Sequence, residues 1–109
     1  MRKVYKKIEE ILKKTDTGSK QLNLTLHLSK LFEEAGEVAQ EINKLNGRKK
    51  TTIGETLEDI DDNICEEVAD AIQCLMAIAI TAGVDYERLK DTLVDKNVKF
   101  EATGVNNLI

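Results

Sequence analysis

Two pairs of acidic residues have a spacing that could do chemistry on a helix: Glu34 with Glu37, and Glu67 with Asp70. Carboxylates three residues apart on an α-helix are neighbours, and like charges so placed repel by a few tenths of a kcal/mol. Two such pairs brought together repel far more strongly. At an effective dielectric of ~20, one like-charge contact at ~4 Å costs about 4 kcal/mol. A fold that joins all four acids therefore calls for a cation. Oxygen-only ligands select hard ions, so Mg2+ is the first choice and Mn2+ the second. Spacing alone is weak evidence, because a chain with 20 acids in 109 residues contains such pairs by chance. Glu58 with Asp61 and Asp59 with Asp62 read as accidents of that kind. The two chosen pairs differ in placement, since each flanks an apolar seam on one of the two longest helical stretches.

Those stretches are read from apolar periodicity. Leu24, Leu28, Leu31, Ala35, Val38, Ile42 and Leu45 form a seam with alternating steps of four and three, the pattern of a helix with one packed side. A polar stripe follows the same spacing along its flank: Asn23, His27, Lys30, Glu34, Glu37 and Glu41. At 100° per residue, Glu34 lies roughly 70° from the seam's centre and Glu37 roughly 130°. Glu34 is therefore expected at the edge of the core. The second long stretch carries Leu57, Ile60, Ile64, Val68, Ala71, Leu75, Ile78 and Ala82, with Asn63, Glu67 and Asp70 in one row beside them. Glu67 falls roughly 60° from that seam. Residues 71–82 are apolar on nearly every side, which predicts a partner subunit over one face.

In order, the predicted helices cover residues 2–14, 20–46, 55–82 and 86–100. The first places Val4, Ile8, Ile11 and Leu12 on one face and sets six basic residues against two acidic ones. Thr15 to Ser19 is a turn with capping side chains. Gly47 and Gly83 stop the second and third helices, and Asp85 can cap the fourth. Gly36, inside the second helix, suggests close approach of another backbone. Arg48 to Gly54 is a basic loop, read either as a solvated turn or as a lip that attracts phosphate. Thr52 and Glu55 have capping-box spacing, with Gly54 weakening it. Residues 101–109 have no readable period and are expected to be extended or loosely docked.

Length and composition bound the rest. One domain spanning residues 1–109 is long enough for a core of its own. The absence of proline and the scarcity of aromatics favour helix over strand. A formal net charge of −4 speaks against a nucleic-acid polymer as the main partner. No apolar run reaches the ~18–20 residues of a membrane span, so a soluble cytoplasmic protein is expected. Cys65 and Cys74 lie roughly 13 Å apart along one helix, on opposite faces, and are read as reduced, packed thiols. A di-iron site would need Glu-x-x-His twice, and His27, the single histidine, is not so placed.

The segment Lys30-Leu-Phe-Glu-Glu-Ala-Gly-Glu-Val-Ala39, followed by Glu66-Glu-Val-Ala-Asp-Ala-Ile-Gln-Cys-Leu75, resembles the MazG-like nucleoside triphosphate pyrophosphohydrolases. Their signature is Glu-x-x-Glu, a connecting segment, then Glu-x-x-Asp. The likeness covers about residues 22 to 100, including Gly83-Val-Asp85 and a terminal Lys96-Asn97, with Phe100 where the family commonly has a basic residue. It implies an all-α, four-helix bundle-type fold with two long antiparallel central helices, assembling as a homodimer or homotetramer. It also implies Mg2+-dependent cleavage between the α- and β-phosphates of a (deoxy)nucleoside triphosphate, a chemistry that can sanitise the nucleotide pool. Glu34, Glu37, Glu67 and Asp70 would hold the metal. Glu34 and Glu37 would be catalytic, with Glu34 orienting the attacking water. Lys96 would meet the polyphosphate, with Lys30 or the Arg48 loop as weaker candidates and Asn97 beside Lys96. Asn23 and His27 would face base or sugar, although His27 reads equally well as a partly buried helix histidine. Two other readings stand beside this one: a phosphoribosyl-ATP pyrophosphohydrolase of the same fold, and a non-catalytic helical interaction module whose acids form a solvated face.

Overall fold

The computed structural model describes residues 1–47 and 50–103, and the described residues form four helices and no strand. These are α1 (Arg2–Thr15), α2 (Lys20–Leu45), α3 (Leu57–Thr81) and α4 (Tyr86–Thr103). Local chemistry sets their ends. The Ser19 hydroxyl accepts a hydrogen bond from the Leu22 N–H at 3.2 Å, and Asp85 accepts one from the Arg88 N–H at 2.8 Å. Gly47 and Gly83, with φ of 69° and 91°, turn the chain out of α2 and α3, a backbone region that glycine enters without a Cβ penalty.

The start of α3 and the end of α4 differ most from the sequence reading. The capping box belongs to Thr56 and Asp59, whose side chains bond each other's backbone N–H at 3.1 and 2.9 Å, so α3 starts at Leu57. Glu55 accepts instead from the Thr52 N–H at 3.3 Å, so the Thr52–Glu55 spacing makes a turn before the helix. Finally, α4 continues through Thr103, into part of the expected tail. The remainder of that tail, 104–109, lies outside the described residues, as do Arg48 and Lys49 of the basic loop.

The buried face of α1 is Tyr5, Ile8 and Leu12, while Val4 and Ile11 are exposed. Tyr5 is 1% exposed, and its hydroxyl donates to the Val84 carbonyl at 2.6 Å. A side chain with an apolar body and a polar tip gains from burial and from the bond together, and that rotates the helix by one position. The Tyr5 and Tyr86 rings are 5.7 Å apart, the Arg2 guanidinium lies 5.4 Å from the centre of the Tyr86 ring, and Arg2 also pairs with Glu87. Thus α1 is latched to the α3–α4 corner. The core beneath it is Tyr5, Ile8, Met76 and Ala77, flanked by Leu12, Ile80, Tyr86 and Leu89.

The long helices α2 and α3 form an antiparallel hairpin, with Glu41 facing Asn63 near its closed end and Glu34 facing Asp70 further along. Here the expected seam is corrected. Glu34 does not sit at the margin: at 4% exposure it is the buried residue of α2, whereas the seam residues Leu28 and Ile42 are 45% and 44% exposed. The helix has turned its polar stripe inward, and the apolar seam faces partly out. Residues 71–82 divide likewise, with Met76 and Ala77 buried and Ile72 and Leu75 exposed. A Cβ on Gly36 would meet nothing within 4 Å, so among the described residues no backbone from outside the helix approaches it. Of the two free thiols, Cys74 is half-buried but Cys65 is exposed rather than packed. Among the described residues, α4 buries no side chain. The radius of gyration is 16.8 Å, against roughly 13 Å for a compact domain of this length.

Candidate metal centre

The inward polar stripe of α2 meets the Asn63–Glu67–Asp70 row of α3 in the middle of the hairpin. Carboxylate oxygens of Glu34, Glu67 and Asp70 lie within 4.8 Å of one another, and those of Glu33, Glu34 and Glu37 form an overlapping group. The four acids singled out by spacing are therefore brought together. Glu33 joins them from the exposed side of α2, a position that one extra acid in the Glu-Glu pair already offered. Among the described residues, one oxygen of Glu34 and one of Glu67 are buried without a hydrogen-bond partner. Buried carboxylate oxygens in that condition are costly, and a hard cation answers both of them. The donor set, all oxygen, fits the ion that the sequence implies.

Electrostatics divides the acids into two kinds. Lys30 stands 3.1 Å from Glu34 and 3.4 Å from Glu33. Its ammonium holds the Glu34 carboxyl below the ordinary range, against the opposing effect of burial. Among the described residues, Glu67 has no such partner. The adjacent Glu37 and Glu34 carboxylates, with burial, push its pKa up to about 8. Crowded acids with one counter-charge separate in this way, one ionised and one protonated.

The cluster opens on a cavity of about 450 Å3 lined by His27, Lys30, Glu34, Asp70, Gln73 and Cys74, with Ile8, Ile11, Leu12 and Ala77 as its apolar side. That volume is within the roughly 300–1,000 Å3 of small-molecule sites. Burial and the nearby Glu34 charge raise the Cys74 pKa, which keeps the thiol protonated. A second cavity, about 510 Å3, continues past His27 toward the α1–α2 turn and includes Asn23 in its lining. His27, half-buried, borders both. The Asn23 amide is committed to the turn: it donates to Asp16 at 2.8 Å and accepts from the Thr17 hydroxyl at 2.6 Å and the Thr17 N–H at 3.1 Å. Lys96 and Asn97 are exposed on α4 and line neither cavity. Gln73 and the α1 wall were not singled out in the sequence. Gln73 follows Asp70 by three residues, the spacing already used for the acids, and so was within reach of the same argument.

A helical hairpin with carboxylates packed inside it, opening on a cavity with one charged and one apolar side, defines an all-α protein with an internal acidic site. Residues 22–101 match the MazG nucleotide pyrophosphohydrolase domain, and the chain belongs to that family. No curated protein and no solved structure matches it. The matched span begins after α1, although α1 supplies much of the cavity's apolar side.

Proposed function

We propose that the protein is a cytoplasmic, Mg2+-dependent nucleoside triphosphate pyrophosphohydrolase, active as a homo-oligomer and serving to clear unwanted nucleotides from the pool. The observation that carries this reading is the pair of buried, partnerless carboxylate oxygens on Glu34 and Glu67 within a cluster of four acids. Glu34, Glu37, Glu67 and Asp70 would hold the ion. When bound, it supplies neutralisation of the phosphate charge. Water attacks the α-phosphorus, the α–β anhydride bond breaks, and the bridging oxygen leaves with pyrophosphate. Glu34 would orient that water, with Glu37, the second catalytic acid, taking its proton. Lys30, charged and at the mouth of the cluster, meets the polyphosphate. His27 and Gln73 border the space for sugar and base, and Ile8, Ile11 and Leu12 close it from the α1 side.

Support for assembly comes from what a single chain leaves uncovered. Phe32, Ile72, Leu75, Leu93, Val94 and Val98 are exposed across α2, α3 and α4. Apolar surface on that scale marks an interface. Lys96 and Asn97 then meet substrate only once α4 is docked within the oligomer.

The test is a panel of ribo- and deoxyribonucleoside triphosphates with Mg2+, assayed for pyrophosphate. Release from at least one nucleotide is expected, absent in EDTA and absent in a folded Glu34→Gln variant. A folded protein that releases no pyrophosphate from any of them, with Mg2+ or Mn2+, overturns the reading.

A further inference from the structure

The polar interior of the hairpin does not end at the acids. Glu41 lies one turn beyond Glu37 on α2 and Asn63 one turn before Glu67 on α3, and beside them the Lys44 ammonium sits between two carboxylates, 2.9 Å from Glu41 and 3.3 Å from Glu55. Asn63 ties the same two acids together, donating to Glu41 at 3.4 Å and to Glu55 at 3.3 Å. All three charged side chains are nearly withdrawn from solvent, at 12%, 13% and 10% exposure for Lys44, Glu41 and Glu55. The other oxygen of Glu55 accepts from the Thr52 N–H. Glu41 in turn raises the Lys44 pKa, so the ammonium stays charged.

This knot joins three pieces of backbone: the last turns of α2, the segment before α3, and the second turn of α3. A rise of about 1.5 Å per residue puts it about 6 Å along each helix from the metal-holding acids. Sliding or rotating one helix against the other would separate the Lys44–Glu55 and Asn63–Glu41 pairs first. It would then move Glu37 and Glu34 relative to Glu67 and Asp70.

We infer that Lys44 is a positioning residue, which through Glu41, Glu55 and Asn63 fixes the register of α2 on α3 and hence the spacing of the four metal-holding carboxylates. The inference rests on the metal reading of that cluster. The sign of one measurement separates positioning from a simple field effect. Removing a positive charge near a cation site strengthens cation binding through the field alone, whereas losing the register weakens it.

Mn2+ binding by isothermal titration, on the full chain, decides between them. Lys44→Met is expected to raise the Mn2+ Kd about 10- to 100-fold, the cost usual for groups that orient metal ligands. Lys44→Arg, which keeps the charge and can reach both acids, is expected to stay within about threefold of the unaltered protein. Pyrophosphate release by Lys44→Met should recover toward the normal kcat when Mn2+ is raised above the new Kd, with the nucleotide KM little changed. Should Lys44→Met fail to fold, Asn63→Ala cuts the tie from α3 to Glu41 and Glu55 with no change of charge, and a smaller rise in Kd in the same direction is expected. Unchanged or tighter Mn2+ binding in the folded variant overturns the positioning role and leaves the metal reading standing. No Mn2+ binding by the unaltered protein overturns the metal reading itself.

Discussion

Raising the pH from 7 to 9 perturbs the carboxylate cluster without altering a residue. Glu67 titrates at about 8 because Glu37 and Glu34 crowd it. It is therefore ionised in about one molecule in ten at pH 7 and about nine in ten at pH 9. A cation that uses this carboxylate binds the ionised form, so its apparent affinity follows the ionised fraction and rises about tenfold between those two values. The same binding event expels about 0.9 proton at pH 7 and about 0.1 at pH 9. Calorimetric titration with Mg2+ in two buffers of different ionisation enthalpy reads both quantities. The stability of the metal-free protein moves the other way. The folded pKa of Glu67 lies above its ordinary value of 4.5, so between about pH 4.5 and about pH 8 the folded state holds the extra proton. Stability is full below that window and is lost as pH rises through it. In EDTA the melting temperature should fall from pH 5 to pH 8 and then level off, and Mg2+ should offset the fall. Glu67→Gln should remove both the slope and the proton release. Equal Mg2+ affinity at pH 7 and pH 9, with no proton released at either, would refute the arrangement of charges on which the site is built.

Two further outcomes test the fold around the site. Tyr5→Phe removes the hydroxyl bonded to Val84 and should cost about 1 kcal/mol in urea unfolding, with Mg2+ affinity unchanged because α1 contributes no acid to the cluster. Leu75→Lys places a charge on the open apolar face of α3. It should shift sedimentation toward the single chain at micromolar concentration while leaving the helical content intact, and a variant that still sediments like the original protein would put the interface elsewhere.

The helices were legible because their apolar residues recur at 3.6-residue spacing and because glycine and capping side chains mark most of their ends. Residues 30–39 and 66–75 also carried enough of the acidic pattern to name the carboxylates that the hairpin brings near one another. Rotation was much less legible. An apolar seam shows which side of a helix avoids water, but not whether the cover comes from the same chain. On α2 that seam is half open, and Glu34, expected at its edge, is the more deeply buried. Tyr5 was passed over because its hydroxyl counts as polar until Val84 is seen beside it. Asp59 in the capping box was obscured by the run of acids around it, and Thr103 ends α4 where the periodicity had already faded.

The first helix divides its labour along its length in a way that invites engineering. Tyr5 anchors the segment, Ile8 serves both the core and the chamber, and Ile11 and Leu12 look into the chamber alongside groups from α2 and α3. None of these belongs to the span that carries the acids, which starts at residue 22. A graft that keeps Tyr5 and Ile8 but exchanges Ile11 would thus behave as a replaceable cassette, altering the shape of the chamber while leaving the carboxylate cluster untouched.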